Sequence, residues 1–418
     1  MISVDDALQQ VLTVVHPLGV ERVALPDALG RVLAQEIGSP RDIPGFDNSA
    51  MDGYAVRSAD VASASESHPV RLRVTETVPA GKMPECEVKA GEAARTMTGA
   101  PIAQGADAVV PVERTRGSGD TVEILAPAER HAFVRPRGED VRQGEVVIEP
   151  GRVLGPADLG MIASLNRSMV GVYRRPRVAI VATGDELVDI DESPSGAQVV
   201  NSSAYALYGA IREAGGDGAI LRVARDTPAQ VRERITEAMA FDVILTTGGV
   251  SVGQFDHVKT VLDDLGMKTL FHGVAQKPGR PLKFGTLGDR PVFGLPGNPV
   301  STLVCFYLYA RPALLRMSGR REVGLPRSSA RVTTDIKLAK GLTEFVRVKL
   351  ERRDDDVFAT STGNQGSGIF SSIARADGLL IGPAEADILR KGDRAQVLLL
   401  GAATAGDEAF FERRFQRN

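Results

Sequence analysis

The sequence predicts a multidomain protein of α/β plus β structure, built around a central three-layer α/β domain. Three observations carry the prediction. At 418 residues the chain exceeds what one compact core usually holds, about 100–200 residues. From about residue 176 to 322, strand-like apolar runs alternate with helical patterns of about 10–15 residues, which implies a sheet covered on both faces. On either side the texture changes to short alternating strands punctuated by Gly and Pro, the mark of small β domains.

Residues 3–15 read as an amphipathic helix. Ser3 can cap it, Asp5 and Asp6 sit in its first turn, and Ala7, Leu8, Val11, Leu12 and Val15 fall on one face. "VERVALPDALGRVLAQEI" gives a short strand, a turn and a further helical or extended piece. Residues 51–140 form an inserted β domain, with "VRLRVTETV" and "TVEILAP" among its strands. The pieces 1–50 and 141–175 flank it as an N-terminal mixed α/β linker domain. The helix-like run at 155–166 is expected to pack back on the N-terminal helix. The α/β domain spans 176–322. Its first strand, Val178 to Ala182, is a continuous apolar run of the kind found in buried parallel strands. Helices are expected at 202–214, 228–240 and near 256–265. Residues 323–405 are strand-rich and make a second small β domain.

Composition excludes several classes. Hydrophobic content of 43%, charged content of 25% and a net charge of −3 describe an ordinary globular protein and argue against nucleic acid as partner. The two cysteines, Cys86 and Cys305, are far apart and lack metal-ligand neighbours, so neither a disulfide scaffold nor a zinc site is expected. The N-terminus has no signal-peptide pattern, and no apolar run reaches the ~18 residues of a membrane span. A soluble cytoplasmic protein with no membrane attachment is the expectation. The histidines at 16, 68, 131, 257 and 272 make no triad pattern with Ser or Cys, which disfavours a covalent acyl-transfer mechanism.

In an open α/β sheet, ligands gather at the carboxyl ends of the strands, and four informative loops fall there. "TGDEL" (183–187) follows the first strand, Asp226 the second, "TTGGVSVGQFDHVK" (246–259) the third, and "LPGNP" (295–299) a later one. Gly248, Gly249 and Gly253 let backbone approach a ligand, while Thr246, Thr247 and Ser251 add hydroxyls. This is neither a P-loop nor a dinucleotide fingerprint; a plain tight turn is the competing explanation. Asn298 can cap a helix that starts at Pro299, a structural role compatible with anion binding. Lys277, Arg280 and Lys283 stand on a Pro/Gly-stiffened segment and suit a polyanionic substrate. Glu186, Asp226 and Asp256 would meet at one sheet edge, and carboxylates beside a phosphate site suggest Mg²⁺. Asp226 could instead cap the next helix.

Seven segments appear in one order: "PGFDNSAMDGYAV", "TMTGAPIAQGADAVVPVE", "RPRGED", "ATGDEL", "TTGGVSVGQFDHVK", "KPGRP" and "GLPGNPVS". In this order they resemble the molybdopterin molybdotransferases, the MoeA and gephyrin E-domain family. The resemblance implies an elongated homodimer with its active site at the subunit interface, a molybdopterin-binding α/β domain and a C-terminal β barrel. It implies Mg²⁺-dependent insertion of molybdate into adenylylated molybdopterin with release of AMP. Transient contact with the adenylyltransferase and with cofactor-accepting enzymes follows from the same likeness. Carried over, the site residues are Asp52, Thr98, Asp140, Glu186, Asp226 and Asp256 for catalysis, the last three also for metal. Arg135, Gly248, Gly249, Ser251, Lys277, Arg280, Pro296, Asn298, Pro299, Ser301 and Ser367 would bind substrate. Phe46, Met51 and Tyr54 are expected to anchor the turn that projects Asp52. The chain departs from many members at Gln254, where they carry an acid, and at His272 or Gly273, where they carry a base. A tungsten-inserting paralogue and a non-catalytic scaffold of the gephyrin type are the alternatives; adenylyltransferases and nucleotide pyrophosphatases of the same domain type lack residues 1–175.

Overall fold

The protein is described from a computed structural model that covers residues 1–117, 119–248 and 257–401. The chain divides into two compact units. The first comprises residues 1–34, 151–155 and 169 onward; the second comprises 35–150 and 156–168.

The first unit is organised by a six-stranded sheet in the order Asp217–Ile220, Arg177–Ala182, Val243–Thr247, Arg290–Leu295, Lys283–Leu287, Lys268–His272. The first four strands run parallel, and the fifth pairs antiparallel with both the fourth and the sixth, so the sheet is mixed. Alternation with a period of two explains its two cores. Val178 and Ile180 face one way, joining Leu207, Ile211, Val300 and Val304, while Ala179 and Val181 face the other, joining Val231, Ile235, Val261 and Leu262. The helices that supply these layers run Ser202–Glu213, Pro228–Ala238 and His257–Asp264, close to their expected bounds. Thr227, rather than Asp226, caps the second of them, with its hydroxyl accepting the Gln230 N–H.

The N-terminal helix runs Val4–Val14, capped by Ser3 as its sequence suggests. Ala7, Val11 and Val15 are buried in the same core as Val178 and Phe271. The helix Pro156–Ser164 groups instead with the second unit. In the C-terminal part, the eleven-residue strand Thr343–Arg353 pairs with Asp356–Ser361 and also with Gly378–Gly382. Through Arg327–Val332 and Arg394–Leu399 the ring of five strands closes into a barrel. Closure removes the exposed strand edges that an open small sheet would carry.

The second unit holds a six-stranded sheet in the order Ala108–Pro111, Gly53–Val56, Glu92–Thr96, Val70–Val78, Thr121–Ile124, Thr115–Arg116. Tyr54 and Val56 bury on one face with Leu72, Val110 and Val122; Ala55 buries on the other with Val78, Ala94 and Val109. Among the described residues no helix is long and apolar enough to cross a membrane.

Candidate functional site

The chain passes from the strand Arg177–Ala182 to Asp217–Ile220 on one side, then returns to Val243–Thr247 on the other. The order therefore reverses between Arg177–Ala182 and Val243–Thr247, and at such a switch point the connecting loops diverge and leave a crevice. A cleft of about 570 Å³ lies there. Thr183 and Glu186 line it from the first strand's loop, Thr247 and Gly248 from the third strand, and Asn298 and Pro299 from a helix start. Gly368, in the turn before the short helix Phe370–Ala374, closes another side.

Two glycines bring backbone close together. Gly248 has φ +84°, and a Cβ there would stand 2.9 Å from the Thr183 carbonyl oxygen. A Cβ on Gly297 would meet the Gly248 Cα at 3.6 Å. A side chain at Gly248 would crowd the Thr183 carbonyl at the cleft floor, whereas one at Gly297 would only make ordinary van der Waals contact. The hydroxyls of Thr183 and Thr246 are buried at the ends of adjacent strands, without hydrogen-bond partners among the described residues. A buried hydroxyl left unpaired costs about 1–3 kcal/mol; of the two, Thr183 lines the cleft, where its partnerless hydroxyl suits an incoming polar ligand.

Glu186 folds its carboxylate back over Gly184, where an added Cβ would lie 2.5 Å from Oε2. Asp226 lies on the neighbouring loop, half-buried, and its N–H donates to Asp185 Oδ1 at 3.1 Å. Arg225 ties the same two loops together through the Asp185 carbonyl at 2.9 Å. The third expected metal ligand, Asp256, lies outside the described residues, as do Gly249, Ser251 and Gln254. Among the described residues no three His, Cys, Asp or Glu side chains converge as a metal site. The donors present at the cleft, a carboxylate and threonine hydroxyls, are hard oxygens that fit Mg²⁺ in character, with water and substrate completing the shell.

Asn298 caps its helix in position, with Pro299 following, but its side chain makes no capping bond. Nδ2 donates instead to Ser367 Oγ at 3.1 Å, and the Val300 N–H donates to the Ser367 carbonyl at 3.2 Å. The structure thus joins two expected substrate residues that stand far apart in sequence. Pro296 and Ser301 lie one step behind: the Pro296 carbonyl accepts the Thr302 hydroxyl at 2.5 Å, and Ser301 is buried. Neither lines the cleft. Lys277 is tied by an ion pair of 2.9 Å to the buried carboxylate of Glu344, and Arg280 Nε reaches Met1 Sδ at 3.0 Å. Neither cation lines the cleft either. The expected trio of basic side chains is dispersed, since Lys283 is buried and paired with Asp263 at 2.9 Å.

In the second unit Asp52 and Thr98 meet. Asp52 Oδ1 accepts the Thr98 N–H and the Thr98 hydroxyl, each at 2.7 Å. The backbone bond, then the hydroxyl bond, hold the Asp52 carboxyl below its ordinary range, aided by the charge of Arg95 and opposed by slight desolvation. The strand Asn48–Ser49 pairs antiparallel with Val134–Arg135, bringing "DNSAMD" beside "RPRGED". Asp47 Oδ1 accepts the Arg137 N–H at 2.7 Å, and the Asp140 N–H donates to the Ile43 carbonyl at 3.0 Å. Arg135 and Asp140 are exposed. The anchoring expectation holds only for Tyr54, which is 3% exposed; Phe46 and Met51 stand 42% and 37% exposed. Tyr54 belongs to a strand with a buried face, whereas the irregular turn around Phe46 and Met51 gives them no core to face.

Sequence reasoning left out Thr183 as a separate ligand-facing group, and Asn201 and Ser203, which also line the cleft. A threonine directly after an apolar parallel strand was the available signal for the first.

Comparison with known proteins agrees with this architecture. Three family models match: the MoeA N-terminal region (domain I and II) at residues 2–166, a probable molybdopterin binding domain at 179–316, and the MoeA C-terminal region (domain IV) at 329–400. A molybdopterin molybdenumtransferase of Nostoc sp. is 37% identical over 363 residues, covering 86% of this chain and 78% of the relative. One from Staphylococcus aureus is 31% identical and covers 97% of both chains. The crystal structure of a molybdopterin biosynthesis MoeA protein from Pyrococcus horikoshii is 32% identical, covers 96% of this chain and 100% of that one, and superposes with TM-score 0.82. Fold, cleft and relatives define a multidomain α/β transferase. The chain belongs to the MoeA family.

Proposed function

We propose that this chain is a molybdopterin molybdenumtransferase of molybdenum cofactor biosynthesis, inserting molybdate into adenylylated molybdopterin and releasing AMP with Mg²⁺ present. The observation that carries the proposal is the cleft at the sheet's switch point, with the unpaired Thr183 hydroxyl at a strand end and Glu186 at its wall. Family membership over the whole described fold supplies the substrate class.

In this reading Thr183 donates to the ligand, and the close backbone at Gly248 admits it without side-chain interference. Asn298 and Ser367, bonded to each other, form one polar wall. Glu186, Asp226 and Asp256 would hold Mg²⁺, which when bound offsets phosphate charge and polarises the phosphoanhydride. Gly249 and Ser251 belong to the same binding turn. Lys277 and Arg280, which stand outside the cleft lining, would act on the phosphate and molybdate charge from beside it, Arg135 adds a cation, and Pro296, Pro299 and Ser301 shape the helix start. Asp52, kept ionised by Thr98, would act across the subunit interface on the anhydride bound in the other subunit's cleft, orienting water or a proton, and Asp140 assists. A homodimer with the active site at the subunit interface, in the cytoplasm, completes the proposal. The exposed Phe46 and Met51 beside Asp52 support it, since large exposed apolar side chains are favoured where a partner covers them. Transient contacts with the adenylyltransferase and with cofactor-accepting enzymes belong to the same proposal. The proposed domain division is 1–50 with 141–175, then 51–140, 176–322 and 323–405.

The test is AMP release from adenylylated molybdopterin with Mg²⁺, with molybdate, tungstate or neither, for wild type and Asp52→Ala. Molybdate-dependent release that collapses in the variant and after chelation supports the proposal. Binding without turnover under every condition overturns the enzymatic reading in favour of a scaffold, and release driven by tungstate alone reassigns the anion.

A further inference from the structure

The segment "QKPGRP" is held from beneath by buried polar side chains. Gln276 is 0% exposed and lies against an apolar core. Its Oε1 accepts the Tyr309 hydroxyl, while Nε2 donates to the Pro278 carbonyl at 2.9 Å and to Cys305 Sγ at 3.6 Å. Cys305 in turn donates to the Gly279 carbonyl at 3.5 Å. The loop sits so closely on this set that a Cβ at Gly279 would stand 2.4 Å from Cys305 Sγ and 2.8 Å from Gln276 Nε2. On the outer side, Lys277 keeps half its side chain exposed, with its ammonium 2.9 Å from Glu344 Oε1.

Tyr309 reaches Gln276 from a π-helical turn, Phe306–Ala310, set between the helices Pro299–Cys305 and Arg311–Met317. Such turns are rare and are frequent at functional sites, because the extra residue per turn re-aims a side chain. A fully paired polar cluster in an apolar core specifies one geometry, where apolar packing of the same volume would tolerate several. The backbone so fixed carries Lys277.

We infer that Gln276 and Tyr309 are positioning residues for the transferase reaction: through the backbone of residues 277–280 they set where the Lys277 ammonium stands for an anionic group of the substrate. The inference rests on the proposed role of Lys277 and adds the residues that orient it. They touch no substrate themselves.

The experiment is a double-mutant cycle on the full chain, with Tyr309→Phe, Lys277→Gln and the two combined. KM for adenylylated molybdopterin and kcat are read with Mg²⁺ and molybdate present. Tyr309→Phe should raise KM about fivefold with kcat within about twofold, a size ordinary for coupled neighbours. Lys277→Gln should raise KM at least as much, and the double variant should match Lys277→Gln alone. A Tyr309→Phe factor that persists in the Lys277→Gln background shows an unrelated structural role and overturns the inference. So does a Tyr309→Phe enzyme with unchanged KM where Lys277→Gln is impaired. Unchanged KM in Lys277→Gln itself overturns the prior role of Lys277, a distinguishable failure. Should Tyr309→Phe not fold, Gln276→Met carries the same cycle.

Discussion

Replacing Thr183 by valine should stabilise the protein and weaken its ligand binding at once. Thr183 is 5% exposed, lines the cleft, and has a hydroxyl without a hydrogen-bond partner among the described residues. Valine has nearly the same shape, and the backbone bond from the Thr183 N–H to the Thr247 carbonyl, 3.2 Å, does not depend on the side chain. An unpaired buried hydroxyl costs about 1–3 kcal/mol, of which the methyl should recover about 1 kcal/mol. In a unit of this size that is a Tm rise of roughly 2 °C. The ligand, however, loses one hydrogen bond, about 0.5–1.5 kcal/mol, or about 2- to 12-fold in Kd. Scanning calorimetry gives the first number, and titration calorimetry with adenylylated molybdopterin gives the second. Opposite signs are the signature of a group kept for function at the expense of stability. A fall in Tm of several degrees would show the hydroxyl to be a structural donor, and an unchanged Kd would remove it from the site; either result refutes the reasoning.

Thr98→Val keeps the backbone N–H that bonds Asp52 but removes the hydroxyl bond, so the Asp52 carboxyl should titrate higher than in wild type. The sign is that of a depressed carboxylate. Its stabilising contribution is present above the unfolded value and lost as pH falls through the folded one, so the acid limb of the rate profile should move to higher pH, as read by pH–rate measurements or carbon NMR of Asp52. Asn298→Ala removes the side-chain bond to Ser367 and loosens the loop bearing Gly368, which the Val300 backbone bond still holds; KM should rise about 3- to 10-fold, with Ser367→Ala no worse and the double variant not additive. Phe284→Ala empties a fully buried site between Phe271 and Phe293, whose ring centroids lie 5.5 and 4.7 Å away, and should cost about 3–5 kcal/mol in denaturant unfolding. A loss below about 1 kcal/mol would mean the site collapses rather than leaving a cavity.

Much of this fold was legible in sequence because its signals are local. The cap at Ser3, the apolar spacing of Ala7, Val11 and Val15, and the continuous apolar run from Val178 to Ala182 each act within one element. The alternation of strand and helix also located the cleft, since a parallel strand's carboxyl end is identifiable without knowing its neighbours. The same reasoning misjudged Phe46 and Met51: hydrophobicity alone places a side chain inside only where a periodic element supplies a buried face, and that turn is irregular. It also read Lys277, Arg280 and Lys283 as one basic group, because closeness in sequence says nothing of where long side chains find their partners.

By itself, then, the sequence determined the main elements and the strand–helix alternation that builds the layered domain, and pointed to the loops at the strand ends, all from propensity, capping and hydrophobic period. Tertiary structure decided the pairings between distant segments. It turned the Asn298 amide from its own helix to Ser367, brought Thr98 onto Asp52, fixed Lys277 against Glu344 and set Gln276 under Tyr309. Those contacts depend on strand register, barrel closure and one π-helical turn. Each is a compromise over many packed neighbours, which no single stretch of residues encodes.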